Sequence, residues 1–356
     1  WTGFGTLRIW FANSCPSGHI TADIRLQPSS SAQILASLGL LISAIRYRQC
    51  RRDNYKIIKR GIKIMKTDIQ NKNITQSEKE LFELFINTHK KYIIKYKEIN
   101  IEYYYSGKGE NTILILPHIS SLFSQEMAFH LIIDLENNNK VLAPELCNVN
   151  NIDEIADIMN YILEKENITN VIIYGQSGSG ITAQVFFNRY YNKVKGMILV
   201  NTIAPRNNTK NNSSLLKMIK LFPSFLLKYI LIKKFSKYSK NISIPEECIP
   251  RINFSKLLLE KCFLERFSKK KLLKELEYIL QFNNEIILSS KELPNWNGSI
   301  LIITSEDDAG YEDSKILASL LPNADIFVFE TGYGHLAPAI KSVEFYLKIN
   351  EFLKTL

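Results

Sequence analysis

The sequence predicts an α/β protein, a doubly wound, mostly parallel sheet with an inserted helical cap. Three observations predict it. Short apolar runs alternate with helix-patterned segments from residue 92 onward, and one of those runs breaks at a serine between glycines and passes directly into a helix. The alternation then stops over residues 205–296, where long segments rich in Leu, Ile, Phe and Lys take its place.

Taken in order, residues 77–85 (SEKELFELF) carry a helical pattern, and residues 92–96 and 99–105 read as opening antiparallel strands. A strand over residues 113–116 follows, then a helix near residues 124–135, a strand over 140–143, a helix over 152–165 and a strand over 171–174. Residues 197–200, 300–303 and 325–329 supply three further apolar runs. Runs this short and apolar throughout suit strands covered on both faces, and sites in such sheets lie at the strands' C-terminal ends. The core is expected over residues 65–204 and 297–356, with the cap between them. Residues 215–240 and 257–280 read as cap helices. Their pattern suits a lid whose apolar face covers a pocket while Lys faces water, ahead of the alternative of membrane-surface contact.

Residues 1–64 look foreign to this pattern. The first 55 residues contain six Arg and no Lys, the remainder 34 Lys and five Arg, and the first methionine is Met65. Residues 1–64 hold ten basic and two acidic residues, so most of the net charge of +10 sits there and the rest of the chain is close to neutral. That balance argues against nucleic-acid binding, which needs a basic face on the folded domain. The largely apolar run of 14 residues, 32–45, is too short to span a bilayer comfortably, and an arginine cluster follows the run instead of preceding it as in a signal peptide. The segment is expected to be an upstream extension or a mis-set start. Five cysteines without a C-x-x-C pair suggest neither a disulfide scaffold nor a zinc site, and favour a reducing, cytoplasmic compartment.

Chemistry centres on NVIIYGQSGSGITAQ, residues 170–184. A serine at a sharp strand-to-helix turn needs small neighbours two residues to either side, and Gly175 and Ser179 provide them for Ser177. Ser179 itself would be flanked by Ser177 and Ile181, whose branched side chain crowds such a turn. A serine hydroxyl is a weak nucleophile and needs an imidazole base, itself oriented by a carboxylate. The chain after Ser177 holds one histidine, His335, just past the run 325–329. Acid candidates Asp307 and Asp308 follow the run 300–303. His118 is assigned no chemistry, and His19, His89 and His130 are taken as surface or structural.

In this serine, acid, histidine order the chain resembles the α/β-hydrolase superfamily, over roughly residues 95–356. The resemblance implies an acid in a G-x-x-D pattern, matched by Ser305-Glu306-Asp307-Asp308, which favours Asp308 over Asp307, and a histidine after glycine, matched by Gly334-His335. It implies oxyanion donors at the backbone N–H of Gly178 and, from the loop Pro117-His118-Ile119-Ser120, at Ile119; His118 stands where the family often has glycine. The expected activity is cleavage of a carboxylic ester or related small acyl substrate through an acyl-enzyme, without metal or organic cofactor. LFPSFLLKYIL and LLPNADIFVF also resemble the maspardin branch, whose members tend to lack the histidine and are suspected binding proteins, so a silent binding scaffold is the alternative function.

Overall fold

The structure, a computed structural model, describes residues 6–7, 24–25, 76–146, 149–206, 216–217, 219–237, 242, 244–286, 296–321 and 323–356. The chain divides into two compact units, Trp1–Lys63 and Ile64–Leu356. In the first, β1 (Thr6–Leu7) pairs antiparallel with β2 (Ile24–Arg25). The apolar run 32–45 and its trailing arginines lie outside the described residues, as do Cys15, Cys50 and Cys147. Cys248 and Cys262 are free thiols.

The second unit opens with α1 (Gln76–Thr88) and the antiparallel strands β3 (Lys91–Tyr96) and β4 (Ile99–Gly107). Next come β5 (Thr112–Ile115), α2 (Phe129–Glu136), β6 (Lys140–Pro144), α3 (Ile152–Lys165), β7 (Val171–Gln176), α4 (Gly178–Tyr190) and β8 (Val194–Val200). The insertion carries α5 (Ser224–Lys237), α6 (Ile249–Arg266) and α7 (Lys269–Glu285). The chain then returns through β9 (Ser299–Ser305), α8 (Tyr311–Leu320), β10 (Ala324–Phe329), α9 (Ala337–Ile340) and α10 (Ser342–Leu353).

These strands form an eight-stranded sheet in the order β10-β9-β8-β7-β5-β6-β4-β3, parallel from β10 to β6 and antiparallel at the β4 and β3 edge. Both faces are buried. Along β7, Val171 and Ile173 pack into one layer with Ile158, Ile162 and Phe186, while Ile172 and Tyr174 pack into the other with Phe129 and Phe345. An alternation of two-residue period with both faces apolar is why the run has no polar positions. The helices have local causes as well. The Asn151 side chain caps α3 by accepting the Glu154 N–H at 2.8 Å, and the Glu154 carboxylate accepts the Asn150 N–H at 2.8 Å.

Two cap expectations need correction. Residues 257–280 are not one helix: α6 ends at Arg266 and α7 begins at Lys269, because the Ser268 side chain accepts the Lys271 N–H at 3.1 Å and caps a new start. Residues 215–240 are likewise interrupted at Pro223, whose ring and missing N–H end one helical stretch before α5 begins; residues 215, 218 and 238–240 lie outside the described ones. The insertion is tied to the core on both faces. Tyr278 and Phe282 of α7 join one apolar layer, and Phe254 and Leu258 of α6 join the other. The Tyr278 hydroxyl also donates to the Val149 carbonyl at 2.8 Å. Among the described residues, no helix is long and apolar enough to cross a membrane.

Candidate active site

Ser177 stands between β7 and α4 at φ 55° and ψ −123°, a conformation that a residue with a Cβ adopts only under constraint. Several contacts over-determine it. The Ser177 N–H donates to the Val200 carbonyl at 2.9 Å, its carbonyl accepts the Thr202 hydroxyl at 2.7 Å, and it also accepts the Gly180 N–H at 3.0 Å. Gly175 is required by proximity: a Cβ there would lie 2.5 Å from the Ser179 carbonyl oxygen and 2.6 Å from the Gly180 Cα. Ser179, the rival nucleophile, is committed to the turn. Its hydroxyl accepts the Gln176 N–H at 2.7 Å and donates to the Gln176 carbonyl at 2.8 Å.

The two adjacent aspartates point to different partners. Asp308 is buried; its Oδ1 accepts the Gly310 N–H at 2.7 Å and its Oδ2 lies 2.6 Å from Nδ1 of His335. That contact fixes the orientation of the ring, whose Nδ1 faces the carboxylate. Asp307 instead braces the loop carrying the histidine, accepting the Gly332 and Gly334 N–H groups at 2.9 Å each and the Ser305 hydroxyl at 3.0 Å. Against the burial that would raise it, these donors hold the Asp307 carboxyl below its ordinary range. After β8 the chain turns through Asn201 at φ 44°, its N–H bonded to the Ile303 carbonyl at 2.9 Å and its side-chain amide donating to the His335 carbonyl at 3.3 Å.

On the other side of the elbow lies the loop after β5. It is anchored by the Thr182 hydroxyl, which donates to the Pro117 carbonyl at 2.7 Å, and by the Leu116 N–H on the Tyr174 carbonyl at 2.9 Å. The expected Ile119 donor is engaged: its N–H goes to the Gly178 carbonyl at 3.3 Å, and the Ile119 side chain is buried. In this structure the Ile119 N–H is thus directed at the Gly178 carbonyl, and the ring of His118 stands against Gly178. Residues that sequence reasoning passed over are Thr202, which holds the elbow carbonyl, and His118, whose ring covers Gly178.

A polar cavity of about 500 Å³ is lined by Glu98, Glu102, Ser121, Glu145, Arg266 and Lys271, among others, and by none of Ser177, Asp308 and His335. Its lining carries opposed charges, with Arg266 paired to Glu145, and no histidine to act as a base for Ser121, so the chemistry is read from the elbow and not from this volume.

No family model and no curated protein matches the sequence. Solved structures do. An esterase from Thermogutta terrifontis superposes with a TM-score of 0.54 at 17% identity, covering 75% of this chain and 98% of that one. MGS-M2, an α/β-hydrolase enzyme from a Medee basin deep-sea metagenome library, gives 0.55 at 19% identity over 74% and 97%. MenH from S. aureus gives 0.55 at 18% over 71% and 98%. The chain has the α/β-hydrolase fold. Within that fold the elbow follows the central strand β7, and Asp308 and His335 follow β9 and β10.

Proposed function

We infer that this protein is a serine hydrolase that cleaves a carboxylic ester or related acyl compound through an acyl-enzyme. The single observation that carries this is the Asp308–His335 contact of 2.6 Å, which joins two residues 27 positions apart at the strand ends beside a strained elbow serine. A bare glycine-flanked serine is common; a serine at φ 55° with an imidazole and carboxylate paired on the neighbouring loops is not.

The chemistry then runs as follows. The Ser177 Oγ adds to the substrate carbonyl carbon; its proton passes to Nε2 of His335, and the carbonyl π pair becomes an oxyanion. Asp308 keeps the ring oriented and stabilises the imidazolium. When the oxyanion collapses, the bond to the leaving oxygen breaks and His335 returns the proton to it. A water molecule repeats the sequence on the acyl-enzyme, freeing the acid and Ser177. The helices α5–α7 act as a cap that sets substrate size and excludes water from the elbow. The substrate is a small acyl compound, and the pocket needs no metal or organic cofactor for this sequence of steps.

A fluorophosphonate probe tests the reading, since its phosphorus adduct mimics the tetrahedral intermediate. The label is expected on Ser177, and Ser177→Ala is expected to remove both labelling and hydrolysis of esters of graded acyl length, by roughly 10⁴-fold or more. Folded protein that neither labels nor hydrolyses any ester of the panel would instead be a non-catalytic scaffold.

A further inference from the structure

Acyl transfer needs two preorganised donors at the developing oxyanion, and the loop after β5 presents its backbone donor elsewhere. Gly178 N–H, at the first position of α4, has no carbonyl four residues earlier within the helix and faces the elbow end. The Ile119 N–H, by contrast, is spent on the Gly178 carbonyl. What stands over Gly178 is the His118 ring. A Cβ at residue 178 would lie 2.3 Å from Nε2 and 2.4 Å from Cε1 of that imidazole, so this edge of the ring occupies the space beside the residue that follows the nucleophile.

The remaining features of His118 make that edge a donor. Its Nδ1 accepts the Ser120 N–H at 3.0 Å, so in the neutral ring the proton resides on Nε2. The ring packs against Phe123 with centroids 4.0 Å apart, which fixes its plane. Burial, together with the nearby His335, pushes its pKa down to about 3, so it stays neutral throughout the working range. Neutrality matters for the chemistry. When His335 takes the serine proton it becomes a cation, and a second imidazolium beside it would oppose that step; a neutral N–H does not.

We propose that His118 is a catalytic residue of the hydrolysis inferred above, its Nε2–H and the Gly178 N–H together holding the oxyanion. This rests on the serine-hydrolase reading, replaces Ile119 in the donor pair, and gives a role to the histidine that stands where the family often has glycine.

Steady-state kinetics on the best ester of the panel, with binding of a trifluoromethyl ketone whose serine adduct carries the same oxyanion, tests the proposal in the full chain. His118→Ala is expected to lower kcat by about 10²–10³-fold with KM little changed, and to weaken the ketone by a similar factor. His118→Gln, which keeps a neutral side-chain N–H, is expected to lose less of both. A folded His118→Ala protein with wild-type kcat and ketone affinity would overturn the proposal and leave His118 as a pocket wall. Should the alanine variant fail to fold, the glutamine variant decides. A parallel loss in kcat and ketone affinity supports the donor role, and a change confined to KM refutes it. Failure of the parent reading looks different, since wild-type protein would then neither turn over ester nor label at Ser177.

Discussion

The loops after β9 and β10 and the loop after β5 flank the same elbow from opposite sides, and they are stiffened by different means. The first pair is held by a carboxylate: Asp307 gathers two backbone N–H groups and a hydroxyl, while Asp308 accepts the Gly310 N–H with one oxygen and meets His335 with the other. The second is held by an aromatic ring, with His118 bonded to Ser120, tilted against Phe123 and pressed onto Gly178. Two neighbouring residues of one type can thus divide orientation and support between them, whereas a loop without a flexible glycine needs a side chain to fill the space and face the elbow.

Exchanging the two aspartates for asparagine is the sharpest way to break that contrast. Asp308→Asn is expected to lower kcat by about 10⁴-fold with little change in thermal midpoint, because the ring loses its partner and its tautomer. Asp307→Asn should cost stability, about 0.5–1.5 kcal/mol in denaturant unfolding because the side chain is exposed, with a smaller kinetic loss. If the two variants exchanged behaviours, the acid would be Asp307. On the ring side, Gly178→Ala is expected to destabilise by roughly 1–3 kcal/mol through its clash with the imidazole. Combining it with His118→Ala should recover most of that stability without recovering activity; a double variant as unstable as the single one would place the clash elsewhere. Ser179→Ala should cost about 1 kcal/mol or somewhat more, since two hydrogen bonds at Gln176 are lost, and still label at Ser177.

The smallest expected effect concerns Glu275 on α7, whose carboxyl meets the Ser120 hydroxyl beside the ring. Its burial raises the pKa from 4.5 to about 7, outweighing that hydrogen bond. The folded form therefore holds its proton more tightly than the unfolded one, and the associated stability, complete below about pH 4.5, is lost as pH rises through about 7. Glu275→Gln should match the parent's midpoint near pH 5 after correction for other groups, and exceed it by roughly 2–4 °C at pH 8. Equal midpoints at pH 8 would show the carboxylate to be well solvated.

The elements that place the site were legible because they are local. The helix over residues 152–165 is marked by its asparagine cap and first-turn acids, and the strands by apolar runs that tertiary structure then buries on both faces. The order of serine, aspartate and histidine could be read without knowing where the chain goes between them. What stayed hidden depends on partners that leave no mark in the sequence. Asp307 is satisfied by backbone amides 25 and 27 residues away, a donor that every residue type but proline carries. His118 meets Gly178 across 60 positions, and the only local trace was a histidine where glycine was expected. The break between α6 and α7 was missed because the apolar periodicity runs on through Ser268, and only the cap hydrogen bond reveals the stop.

The insertion also sets a timetable. In the sheet Met197 of β8 pairs with Ile300 of β9, 103 residues later, so β8 emerges from synthesis well before the strand that covers its outer edge. At roughly 5–20 residues per second, that edge waits about 5–20 s. Closing so long a loop adds little free energy, because the cost grows only with the logarithm of length. The delay is the greater hazard. Met197, Ile198, Leu199 and Val200, fully buried at the end, form for those seconds an apolar strand with one unpaired side, a template for another nascent chain. Slower translation across residues 205–298 would lengthen that exposure, and a chaperone that shields strand edges would act on this protein chiefly before residue 305 appears.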